Sequence, residues 1–150
     1  MNSQFANSND SQPPIEARLR TMRTLWLAMF LSVGAYFVFC LLNGRRKNLE
    51  PNNKLFLVLV GNSLAVTLIS FVIKRALLNR AVAQHQVGQV QQGYIIVWAF
   101  TEVAALLGII DFLITGDRYY YVMFIIAVCG QLLHFPRREH VVNASFKRSL

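Results

Sequence analysis

The chain has 150 residues, of which 55% are hydrophobic and only 15% charged, with a formal net charge of +8. Its basic residues gather at the ends of apolar runs and form no single basic face with interleaved aromatics, so a membrane is favoured and nucleic acid set aside. Cys40 and Cys129 would differ by about 12 Å in depth on helices, beyond the ~4.4–6.8 Å between the Cα atoms of a disulfide, so both are expected as small apolar packing residues.

Residues 1–17, MNSQFANSNDSQPPIEA, are polar with a Pro pair and are expected to form a disordered tail. Residues 18–138 read as one membrane domain with four apolar runs. The first, 25–42, has 18 residues and no charge. It is too long for a signal-peptide core and is followed by NGRRKN rather than a small-residue cleavage site, so it is read as a retained span. The second run, 55–73, is also free of charge. The segment after it keeps Ala and Leu at helical spacing, which extends this helix past the membrane surface to a turn near Val87-Gly88.

The third run, 94–115, carries two acids, Glu102 and Asp111. Only Gly116-Asp117-Arg118 separates it from the fourth run, 119–135, so these helices are expected to be antiparallel neighbours. Tyr119, Tyr120 and Tyr121 suit an interfacial aromatic belt, Pro136 ends the run, and residues 139–150 are expected to form a basic cytoplasmic tail.

Spanning the hydrocarbon core takes about 20 helical residues, and open sheets leave backbone groups unsatisfied in lipid. The expected fold is therefore all-α, an antiparallel four-helix transmembrane bundle with both termini on one side. That side would hold ten Lys and Arg against five on the other, which makes it cytoplasmic. The expected location is the inner (plasma) membrane of a bacterium.

Glu102 is the strongest candidate for function, because a carboxylate inside a span must be partnered, protonated or in contact with water. Counting about 1.5 Å per residue from the cytoplasmic edge puts Glu102 at ~12 Å, Thr67 at ~9 Å and Gln131 at ~6 Å, a possible polar layer. His134, one turn below Gln131, could be a second proton-exchanging group or an interfacial histidine. Asp111 falls on the opposite face of the helix from Glu102 and is expected to pair with Arg118 or water. Two small-residue stripes, Ser63/Thr67/Ser70 and Thr101/Ala105/Gly108, predict that the second and third helices touch. No phosphate loop, nucleophile elbow or metal-ligand spacing occurs, so neither an enzyme nor a cofactor or metal is expected.

Residues 79–115, NRAVAQHQVGQVQQGYIIVWAFTEVAALLGIIDFLIT, resemble the second half of the proteolipid c subunit of rotary ATP synthases. In this resemblance Ala83-Gln84 stands in the polar turn, Glu102 matches the ion-binding carboxylate, and Ala104, Leu107 and Gly108 its flank. The sequence lacks the family's Gly-x-Gly repeat and its turn proline. The resemblance implies proton or cation binding at Glu102. The main expectation is a non-catalytic accessory, assembly or stabilising subunit, whose partners are the bilayer and other membrane subunits or further copies of the chain.

Overall fold

An apolar run in lipid has only its own backbone to hydrogen-bond, and helix is the local solution. The computed structural model describes residues 15–43, 52–84, 87–115 and 119–145. Their helices are α1 (Ile15–Asn43), α2 (Asn53–Ala83), α3 (Val87–Ile114), α4 (Tyr121–Leu133) and α5 (Arg138–Ser145), with no strand among the described residues. The first three are long and apolar enough to cross a membrane, whereas α4 has 13 residues.

Three helices outrun the apolar runs that predict them, because a helix needs apolar side chains only where it meets lipid. α1 begins at Ile15 instead of Leu25, and α2 continues to Ala83. α3 begins at Val87 instead of Tyr94, so the turn precedes the expected Val87-Gly88. Gly93 belongs to this extra length. A Cβ there would lie 3.2 Å from Leu77 Cβ, so its absence lets α2 and α3 cross closely. The first loop, the Gly116–Arg118 turn and the proposed Asp111–Arg118 pair involve positions outside the described residues, as do 1–14 and 146–150 of the two expected tails.

α4 is shorter than the expected 119–135. Its approach is a turn in which the Val122 and Met123 N–H groups donate to Tyr119 O and Tyr120 O at 2.9 and 3.3 Å. At the other end the His134 N–H donates to Gly130 O at 3.1 Å, and Pro136 follows.

The expected tail at 139–150 needs correction, since α5 occupies its first part. Val141 and Ala144 are buried with Met22, Ala81, Val90, Tyr94 and Trp98 in one apolar cluster. The Tyr94 hydroxyl lies 2.5 Å from His140 Nδ1. Burial, then the charges of Lys74 and Arg137, holds His140 below the usual histidine range despite the opposing effect of Glu139, which keeps it neutral at pH 7. An exposed ion pair, Arg138–Glu16 at 3.1 Å, adds little.

A second cluster joins Val33 and Cys40 of α1, Ala104, Ala105 and Phe112 of α3, and Phe124 and Ala127 of α4. Cys129 departs from expectation in facing outward, while Cys40 is buried as expected. α3 touches every other helix, and its longest contact is with α2, as the small-residue stripes predict. Thr101, Thr67 and Gly130 of α4 lie between the two clusters. A Cβ on Gly130 would lie 2.9 Å from Thr101 Cγ2 and 3.0 Å from Thr67 Cγ2.

Overpacking such a junction costs about 1–3 kcal/mol. Gly130→Ala is therefore expected to lower the thermal stability of the detergent-solubilised protein by that amount. Removing both facing methyls with Thr67→Ser and Thr101→Ser should recover most of the loss. A Gly130→Ala variant as stable as wild type would show that the three helices do not meet here.

Candidate functional site

Glu102 lies half-buried near the middle of α3. Its Oε1 accepts from Ser32 Oγ at 2.6 Å and from the Tyr36 hydroxyl at 2.9 Å. Both donors come from α1, four residues apart and so on one helix face. Ser32 Oγ is also 2.8 Å from its own helix carbonyl, Met29 O, but the carboxylate is nearer. The carboxylate is thus held at the α1–α3 seam by two neutral hydroxyls.

The expected partners of Glu102 go elsewhere. Thr67, Gln131 and His134 form no hydrogen bond with it and instead gather at the seam of α2, α3 and α4. Thr101 Oγ1 donates to Gln131 Oε1 and is 2.8 Å from Trp98 O. On α2, Ser63, Thr67 and Ser70 return their protons to Leu59 O, Ser63 O and Thr67 O at 2.9, 2.8 and 2.5 Å. Ser70 keeps its oxygen for His134 Nε2 at 2.8 Å, and His134 packs on Phe71 with ring centroids 4.3 Å apart. His134 is therefore fully buried within the protein rather than exposed at its surface. Two buried nitrogens of this seam, Gln131 Nε2 and His134 Nδ1, have no hydrogen-bond partner among the described residues.

The separation has a simple cause. Thr101 and Glu102 are adjacent, and one residue turns a helix by about 100°. Thr101 therefore faces α4 and α2 while Glu102 faces α1. Depth counting gives the height of a residue but not its direction. The same count puts Ser32 and Tyr36 about 10 and 16 Å from Leu25, at levels bracketing Glu102, but does not show that they face it.

Asp111 is fully buried rather than at a solvated edge, and its Oδ1 accepts from Thr115 Oγ1 at 2.9 Å. Both tryptophans also reach α4: Trp26 Nε1 donates to Gln131 O at 2.9 Å, and Trp98 Nε1 to His134 O at 3.1 Å. Neither role was visible in the sequence, because indoles in apolar runs look like packing. Among the described residues no group of three or more His, Cys, Asp or Glu could hold a metal ion. Comparison with protein families, curated proteins and solved structures finds no match.

Chemically, the site can hold one carboxyl at a fixed position, accepting two protons' worth of hydrogen bonding in either its charged or its neutral form. Tyr36→Phe is expected to destabilise the protein by about 1–1.5 kcal/mol, the upper part of the usual net range for a hydrogen bond, since this one is half-buried. In a Glu102→Leu background the same substitution should cost less than about 0.5 kcal/mol, giving a coupling near 1 kcal/mol. Equal costs in the two backgrounds, by thermal unfolding in detergent, would mean that the hydroxyl does not hold the carboxyl.

Proposed function

We propose that the chain is a four-span membrane protein, an antiparallel bundle of α1–α4 with both termini cytoplasmic, and that it is a non-catalytic accessory, assembly or stabilising subunit of a membrane complex. Contact registers support the antiparallel arrangement. Leu77 meets Gly93 while Thr67 meets the Thr101 level, so α2 and α3 run in opposite senses. Trp26 reaches Gln131 while Phe37 packs on Phe124, so α1 and α4 do as well. The ten-to-five division of Lys and Arg supports the orientation. Single cysteines at Asn52 and Gln91, in a background lacking Cys40 and Cys129, should label from opposite faces of sealed membranes. Labelling of Gln91→Cys by an impermeant external reagent would reverse the orientation.

The outer face of α2 carries the accessory reading. Gly61, Asn62 and Ala65 are all exposed, and a Cβ on Gly61 would meet nothing within 4 Å. The chain's own packing therefore gives no reason for glycine there. In lipid, a small-x-x-x-small pair lets another helix approach, and an amide beside it offers a hydrogen bond that lipid cannot return. The Asn62 amide nitrogen donates to Val58 O at 2.9 Å, and its carbonyl oxygen remains for a neighbouring helix. The expected partner is a helix of another membrane subunit or of a second copy.

A second reading, supported by the two hydroxyls on Glu102, is proton or cation binding at that carboxyl, as in the c subunit that residues 79–115 resemble. One experiment serves both. Purified in mild detergent and resolved on a native gel with mass spectrometry, the chain should run with other subunits or with itself. Gly61→Leu should release it, and Glu102→Gln should leave association unchanged. A wild-type chain running as a bare monomer would reject the accessory reading. The second reading requires that a hydrophobic carbodiimide modify Glu102, and that the assembled Gln variant lose proton-coupled function.

A further inference from the structure

A cavity of about 460 Å³ opens between α2 and the corner that joins α4 to α5. Lys74 and Arg75 line it from α2, and Arg137 and His140 line it from the corner. Three formal positive charges thus face one volume. Among the described residues none of the three takes part in an ion pair, and the pair at this end joins Arg138 to Glu16. Like charges gathered in a concave site repel one another and favour an anion between them. The Lys74 ammonium is steered by the face of Tyr94, 5.0 Å from its centroid, rather than left to reach freely into solvent.

The remaining wall is of the opposite character. Phe71, about one helical turn before Lys74, and Leu133, the last residue of α4, also line the cavity. Both are exposed on the outer surface, at 36% and 64%, on segments read as lying in the bilayer. A small anion such as free phosphate would use the charges and leave this apolar wall uncovered. A ligand with an anionic head and acyl chains uses both, and a basic pocket at a helix end is where such headgroups bind.

We infer that this cavity binds an acidic phospholipid, with the phosphate held by Lys74, Arg75 and Arg137 and the acyl chains laid along Phe71 and Leu133. The inference rests on the membrane-spanning reading, which extraction of the membranes with alkaline carbonate checks separately: a chain released by carbonate ends that reading before any lipid is measured. Arg75 and Arg137 are exposed, so their truncation removes charge rather than core packing.

The test is native mass spectrometry of the full chain, delipidated and then supplied with phosphatidylglycerol or phosphatidylcholine of matched chains. The wild type should retain phosphatidylglycerol about tenfold or more over phosphatidylcholine. Arg75→Gln with Arg137→Gln should abolish that preference, and Arg75→Lys with Arg137→Lys should keep it. Arg20→Gln with Arg80→Gln, which removes two exposed charges outside the cavity, should also keep it. Millimolar inorganic phosphate should not displace the lipid. Preference that survives the Arg75/Arg137 glutamine pair, or that falls equally in the Arg20/Arg80 control, overturns the site. Displacement by inorganic phosphate assigns the cavity to a soluble anion instead and overturns the lipid assignment.

Discussion

The end of α4 sets the terms for the rest of the bundle. A helix leaves its last carbonyls without partners, and in an apolar interior no water can take them. At this end of the 13-residue α4, Gly130, Gln131 and His134 are buried among the neighbouring helices while Leu132 and Leu133 face outward. The chain contains two tryptophans, and both indole N–H groups are spent here, on Gln131 O from α1 and on His134 O from α3. The short helix is thereby tied to two neighbours by bonds whose loss would orphan a carbonyl, a cost of about 1–3 kcal/mol each.

Residues 130–134 also join this end to α2 and α3. Gly130 admits the methyls of Thr67 and Thr101, Gln131 takes the Thr101 hydroxyl, and His134 meets Ser70. One apolar cluster lies on the side of α5 and another on the side of Phe112, with this polar level between them. Hydrophobic burial does little to order helices that could bury the same side chains in lipid. Polar groups at one level, each with a specific partner, fix register in a way that interchangeable aliphatic contacts do not. A slip of α4 by one turn would leave the indoles, the Gln131 amide and the His134 ring without their partners.

How much of this could be read in the sequence follows from which physical signal each feature leaves. The three long helices were legible because a stretch such as 55–73 has no charge to interrupt it. The contact of α2 with α3 was legible because small residues recur at helical spacing. α5 was not, because its burial rests on Val141, Ala144 and half of His140 within eight largely polar residues, too short a pattern to stand out. The level of Glu102 was legible from counting residues, but its partners were not. A helix with apolar residues on all sides gives no indication of which face meets which neighbour.

α1 is where these arguments meet. Its buried residues are few, Leu19, Met22, Val33 and Cys40, and most of its apolar surface faces outward. Packing therefore leaves α1 the least constrained of the long helices, and besides the exposed Glu16–Arg138 pair its directional ties among the described residues are Trp26 to Gln131 and the Ser32–Tyr36 pair to Glu102. Charged Glu102 accepts both hydroxyls strongly, while a protonated or substituted Glu102 accepts them less well. Any change in the state of that carboxyl is therefore felt first as a change in how firmly α1 is held against α3. This gives Glu102 a physical consequence in either proposed role: as a structural residue it anchors the helix that packing secures least, and as a proton site it would couple its occupancy to the position of that helix.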